Sequence, residues 1–140
     1  MRKNIMTYYI DANVFIYAIL SDSEKIREIN RNVLAKILRG HIDAATSVLT
    51  WDELVWILKK NIDNDLAADE GYKFLNLPNL RFLQVNDNTI RKAQLLFQTY
   101  KLDPRDAIHA ACAIESGIKE IISNDSDFDR IKEIKRVVPK

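Results

Sequence analysis

Apolar side chains recur along the chain in two alternating ways, as short runs of strand-favouring residues and as longer stretches at helical spacing. Tyr8-Tyr9-Ile10 is the first short run, closed directly by Asp11, with a helix expected from about Asn13. From Ser23 to Arg39, Ile26, Ile29, Val33, Ile37 and Leu38 trace one helix face. Ser23 stands where an N-cap belongs, and Gly40 where a left-handed residue would end the helix. Ala44-Ala45-Thr46 predicts a short strand, Leu49 to Lys60 a helix with Glu53 in its first turn, and Asp65 to Leu75 a further helix. Leu80 to Val85, set off by Pro78, predicts another strand, and Ile90, Ala93, Phe97 and Tyr100 another helical stripe. In Leu102-Asp103-Pro104-Arg105-Asp106, an Asp and a Pro occupy the N-cap and first helical positions of a helix that runs through Ala107 to Ser116 and stops at Gly117. That helix is apolar nearly all round, which predicts that other elements enclose it. Glu120 to Ser123 predicts a strand, Asn124 to Asp129 an acidic turn, and Lys135 to Val138 a last edge strand.

Strand and helix therefore alternate, the pattern of a three-layer α/β/α fold around a central, mostly parallel sheet. Ligands of such sheets bind beyond the carboxyl ends of the strands. Asp11 and Asp125 follow strands, and Glu53 and Asp106 open helices entered from the same edge, so the four carboxylates can converge there. Periodicity does not fix the strand order.

Length and composition narrow the class. At 140 residues, 47% of them apolar and with few glycines and prolines, the chain fits one compact domain over 1–140 and not a disordered, collagen-like or linker-rich protein. Cys112, the single cysteine, has no partner for an internal disulfide and sits among alanines, so it reads as a small buried hydrophobe in a reducing cytoplasm. The basic opening Met1-Arg2-Lys3-Asn4 leads into an apolar stretch broken at Thr7 and Asp11, leaving no signal-peptide core, and no later run is long enough to span a bilayer. The expected location is cytoplasmic.

The acids carry the candidate chemistry. Two unit charges ~5 Å apart at an effective dielectric of ~20 repel by roughly 3 kcal/mol, so a converging set needs either protonation or a hard cation. Oxygen-only ligands favour Mg²⁺ or Mn²⁺, which activate water for phosphate chemistry. Each acid also has a plainer explanation. Asp11 could cap the following helix, Glu53 could complete a capping box with Thr50, and Asp106 could answer the helix dipole. Asp125, Asp127 and Asp129 could form a solvated turn, the preferred reading for Asp129. His109, one turn after Asp106, reads as a histidine satisfied within the fold, and Trp51 and Trp56 as packing residues. There is no nucleophile elbow, glycine-rich phosphate loop or zinc-ligand spacing.

Four motifs in order resemble the PIN domain family, and more narrowly the VapC-type toxins of toxin-antitoxin pairs. They are Tyr9-Ile10-Asp11-Ala12-Asn13-Val14, Ser47 through Glu53, Leu102-Asp103-Pro104-Arg105-Asp106-Ala107-Ile108-His109-Ala110-Ala111, and Ser123-Asn124-Asp125-Ser126-Asp127-Phe128. The resemblance implies Mg²⁺ or Mn²⁺ bound by Asp11, Glu53, Asp106 and Asp125, and endonucleolytic hydrolysis of single-stranded RNA. Asp11 and Asp106 would be the principal ligands, Glu53 would ligate or orient the attacking water, and Asp125 would complete the ring. Asp127 matches a variable helper, and Asn13 and Ser123 match polar neighbours. A homodimer and an antitoxin protein partner are also implied. Net charge is only +1, from 21 basic and 20 acidic residues, so RNA contacts must be local, with Lys59, Lys60, Lys101 and Arg105 as candidates.

Other classes stay open at this point. An intact acid set also fits a PIN-like module that binds RNA or a protein without cutting. A Mg²⁺-dependent phosphohydrolase using Asp11 as nucleophile would want a second acid where Asn13 stands. A receiver-like switch would need an acidic pair after the first strand and a lysine after the last core strand, and neither is evident.

Overall fold

The computed structural model describes residues 6–140, so the basic opening Met1–Asn4 lies outside the described residues. Strand and helix alternate as the apolar pattern requires, through β1 (Thr7–Ile10), α1 (Ala12–Leu20), α2 (Glu24–Leu38), β2 (Asp43–Ser47), α3 (Leu49–Asn61), α4 (Asn64–Leu75), β3 (Leu80–Leu83), α5 (Asp87–Tyr100), α6 (Pro104–Glu115), β4 (Glu120–Ile122) and β5 (Lys135–Val137). A 3₁₀ turn over Ser126–Arg130 joins the last two strands. Every strand pairing is parallel, in the order β3-β2-β1-β4-β5. The chain thus builds outward from β1 to β3 and then returns to the other side of β1. That reversal opens a crevice beyond the carboxyl ends of β1 and β4, the place where such sheets bind ligands.

The period-two alternation of the strands divides the core. Ile10, Ala44 and Ile122 face one layer, where they pack with Val14, Phe15, Val33, Ile37, Leu54, Leu58 and Phe74 of α1 to α4. Tyr9, Ala45 and Ile121 face the other, against Leu96 of α5, the alanines and Cys112 of α6, and Phe128. The small side chains of α6 let that helix lie close on the sheet, which is why a helix apolar nearly all round is enclosed.

The expected punctuation is realised. Ser23 Oγ accepts from Ile26 N–H at 3.2 Å. Gly40 and Gly117 adopt φ of +70° and +73°. His41 N–H bonds Lys36 C=O and Ile118 N–H bonds Ala113 C=O, each at 2.9 Å, so both helices close in Schellman turns. Other boundaries differ. β3 ends at Leu83 and β5 at Val137, each short of the predicted strand end, and α3 begins at Leu49 with Val48, not Thr50, at its N-cap. Glu53 therefore lies in the second turn, the capping box is not formed, and Thr50 instead shares a 2.7 Å hydroxyl bond with Thr46. Trp51 packs one edge beside Gly71, where a Cβ would come within 3.1 Å of the indole nitrogen, though it is 41% exposed, and Trp56 is 47% exposed and is not the packing residue expected.

Candidate metal centre

Asp11 continues β1 into the crevice. Its backbone N–H still belongs to the sheet edge, donating to Ile122 C=O at 3.0 Å, while the carboxylate is almost fully enclosed. Its backbone holds the N-cap position of α1, but the side chain makes no cap bond. Oδ2 instead accepts from Ser123 Oγ at 2.6 Å, and the same Oγ accepts from Asp125 N–H at 2.9 Å. One hydroxyl therefore fixes the acids after β1 and β4 relative to each other.

The remaining acids arrive from helices on opposite faces of the sheet. Glu53 of α3 reaches His109 of α6, with Oε1 3.0 Å from Nε2. Asp106 occupies the first turn of α6, and Asp103, at the N-cap position without a side-chain cap bond, lies beside it on the cleft wall. Asp125 caps the 3₁₀ turn, accepting from Asp127 N–H at 2.8 Å, so the turn role and a place at the cleft coexist in one residue. One ligand atom each from Asp11, Glu53 and His109 lie within 4.8 Å of one another, and the same holds for Asp106, Asp125 and Asp127. Asp11, Glu53, Asp106 and Asp125 line a single cleft of about 530 Å³, joined by Asn13, Ile16, Ile57 and Arg105.

The segment carrying Asp125 is held by a partly buried amide network that sequence reading did not anticipate. Asn13 Oδ1 accepts from both the backbone and side-chain N–H of Asn124 at 3.2 Å, and the Asn124 side chain also donates to Asn30 Oδ1 at 2.9 Å. Asn30 sits on an otherwise apolar helix face, a buried polar residue whose partner lies far away in sequence. Asp129 is exposed, as expected of a solvated turn residue, does not line the cleft, and forms a two-pronged pair with Arg136, at 2.9 and 3.2 Å. Cys112 is buried as expected, and burial pushes its thiol up to about 11, leaving it unreactive.

The chain matches the PIN domain over residues 8–134. It belongs to the PIN domain family. PIN domains are, in general, metal-dependent nucleases. No curated protein sequence matches at a significant level. Among solved structures, the fold resembles VapBC2 from Rickettsia felis, bound to a promoter DNA fragment, with TM-score 0.73, 18% identity and coverage of 96% of this chain and 100% of the other. DNA-bound VapBC from Salmonella typhimurium gives 0.70 at 19% identity, covering 96% and 98%. VapC20 from Mycobacterium tuberculosis, described as a sarcin-ricin loop cleaving toxin, gives 0.70 at 15% identity, covering 91% and 97%. These likenesses establish the PIN fold, not a shared substrate. Among the described residues, no helix is long and apolar enough to cross a membrane.

The electrostatics of this PIN domain show what the cleft lacks. Burial, and then the charges of Asp11 and Asp125, push Asp106 up to about 7. Burial also raises Asp11, reinforced by Glu53 and opposed by His109 and Ser123. Five acids line the cleft against one arginine, with His109 behind Asp11 and Glu53, so the protein itself compensates the negative charge only in part. An all-oxygen set of carboxylates in that condition fits a hard divalent cation. The sign of the linkage follows. Because Asp106 binds its proton more tightly folded than unfolded, the metal-free protein should lose stability as pH rises from about 4 to about 7. A cation bound at Asp106 would have to displace that proton below pH 7. Apparent Mn²⁺ affinity should therefore climb up to about tenfold per pH unit up to about pH 7 and level off above it. Calorimetric titration between pH 5.5 and 8.5 measures this, and a flat profile contradicts it.

Proposed function

We propose that this PIN domain is a Mg²⁺- or Mn²⁺-dependent endoribonuclease of single-stranded RNA, the toxin component of a type II toxin-antitoxin pair. The observation that carries the reading is the convergence of Asp11, Glu53, Asp106 and Asp125 on one under-compensated cleft at the switch point of the sheet. Asp11 and Asp106 would be the principal metal ligands, with Glu53 and Asp125 completing the set. The bound ion would supply a water of lowered pKa and offset charge on the phosphodiester. Glu53, with Oε1 engaged by His109, would use its other oxygen to orient that water, and Asp125 would hold it from the opposite wall. Ser123 keeps Asp11 and Asp125 in register for this, and Asn13 holds the segment that carries Asp125. Asp127 stands near Asp106 and Asp125 but also pairs with Arg130 at 3.1 Å, which fits an auxiliary role.

Net charge gives no general pull toward RNA, so binding must be local. Arg105 lines the cleft and also lies 5.9 Å from the Trp56 ring, over which Lys60 sits at 4.8 Å. Arg105 and Lys60 are accordingly the first residues to test as phosphate contacts. The fold shared with VapC toxins supports an antitoxin partner, and a homodimer is part of the same proposal.

The nature of the product ends tests the chemistry. Attack by water leaves no cyclic phosphate, whereas attack by the RNA's own 2′-hydroxyl would leave a 2′,3′-cyclic phosphate. Mass spectrometry of the fragments from a single-stranded RNA, with matched duplex RNA and single-stranded DNA alongside, should show uncyclised ends and preference for the single-stranded RNA. Cyclic ends would contradict the proposed role of the acids, and equal cutting of DNA would contradict the substrate class.

A further inference from the structure

Tyr9 and His109 are fully buried beside the acids, and the roles assigned above give His109 only its contact with Glu53 and leave Tyr9 unexplained. Tyr9 projects from β1 and His109 from α6, with ring centroids 5.5 Å apart in an edge-on arrangement. The Tyr9 hydroxyl lies 2.5 Å from His109 Nδ1. On the far side of the imidazole, Nε2 lies 3.0 Å from Glu53 Oε1 and 3.8 Å from Asp11 Oδ1. The backbone N–H of Ser47, at the end of β2, points at the Tyr9 oxygen from 3.2 Å.

Hydrogen inventory orders this chain of contacts. A backbone amide can only donate, so the Tyr9 oxygen accepts from Ser47. The phenol has a single hydrogen; the Ser47 and Thr46 hydroxyls beside it can donate to its oxygen, and His109 Nδ1, at 2.5 Å, is placed to take that hydrogen. In the neutral imidazole Nδ1 therefore accepts, and the single ring hydrogen belongs on Nε2, aimed at a carboxylate that, ionised, can only accept. Ser47, Tyr9 and His109 are fully buried, so water cannot replace a missing link among them, and only Glu53 at the end of the path meets the cleft.

We propose that Ser47 N–H, Tyr9, His109 and Glu53 form a one-way hydrogen-bond relay that fixes the His109 tautomer and pins Oε1 of Glu53, leaving its second oxygen for metal or water. Tyr9 and His109 are positioning residues, acting through Glu53. The physical need is clear, because a carboxylate facing several others would otherwise rotate away from them, and a charge-assisted bond from a buried donor opposes that rotation. The relay also joins the layers, since Glu53 belongs to α3 on one face of the sheet and His109 to α6 on the other. Its consequence for metal binding rests on the proposed function, but the order of its hydrogens does not.

Two measurements test it. In the metal-free protein at pH 8.5, two-bond ¹H–¹⁵N correlations of labelled histidine should show the His109 hydrogen on Nε2 alone in wild type, and a mixture of tautomers in Tyr9→Phe. Calorimetric Mn²⁺ titration should show affinity about tenfold weaker in Tyr9→Phe and His109→Leu, and largely restored in His109→Gln, whose amide can donate to Glu53. Hydrogen at Nδ1 in wild type would overturn the relay. So would wild-type Mn²⁺ affinity in a folded His109→Leu, which would reduce the pair to packing. If wild type binds no Mn²⁺ and cuts no RNA, the metal reading fails, while the tautomer measurement still decides the relay.

Discussion

Exchanging Asp11 or Asp106 singly for Asn is expected to lower metal-dependent RNA cleavage by about a thousandfold, while the metal-free protein at pH 8 melts no lower than wild type. The two halves of this expectation have one cause. Both carboxylates have their pKa raised, by burial first and then by neighbouring acids, so each ionised form is a burden on the metal-free fold. Asn removes the charge, preserves the shape and leaves an oxygen to accept from Ser123 at position 11. What stabilises the metal-free chain should abolish its chemistry, an inverse relation that misfolding cannot mimic. Single-turnover cleavage beside thermal melts checks both. Activity within tenfold of wild type would remove that acid from the ligand set, and a lowered melting temperature would make the loss of activity uninterpretable as a ligand effect.

Phe128→Ala is expected to destabilise the fold by roughly 3–5 kcal/mol, the range for deleting a fully enclosed aromatic. Phe128 is completely buried, in the cluster formed by Tyr9, Ile121 and the alanines of α6. It is also the apolar anchor of the turn that Asp125 caps, so one side chain both fills the core and seats an acid. Phe128→Leu should cost less stability yet still weaken Mn²⁺ binding, because the cap bond from Asp127 N–H to Asp125 depends on the turn remaining closed. Urea unfolding measures the first effect and calorimetry the second. A loss below about 1 kcal/mol for the alanine variant would show that the turn is not anchored by this ring.

What the sequence revealed follows physical range. Ser23, Gly40 and Gly117 announce helix ends because caps and left-handed residues act within a few positions, and all three behave as expected. Strand order is not encoded in periodicity, and only the parallel ladders reveal that β4 sits beside β1 and so brings Asp125 beside Asp11. Thr50 and Glu53 have capping-box spacing, but the helix begins one residue before Thr50, and burial of Thr50 against Thr46 overrides the local preference. His109 does satisfy its hydrogen bonds within the fold, as expected, yet its partners are Tyr9 and Glu53, 100 and 56 positions away. No local pattern could name them. Its position as a polar residue on a nearly all-apolar helix was the available signal. Asn30 gave the same signal on α2, and Asp129 gave none, since Arg136 reaches it only once β5 is in place.

Cleavage of a single-stranded RNA pool by purified wild-type protein, first stripped with EDTA and then resupplied with Mg²⁺ or Mn²⁺, tests the central claim most directly. The acid cleft predicts silence in EDTA, fragments on return of either ion, and cleavage about a thousandfold slower from Asp11→Asn or Asp106→Asn. Wild-type protein freed of copurified inhibitor by unfolding and refolding, yet cutting no better than those variants with either ion, would contradict the nuclease and leave a PIN domain that binds without cutting.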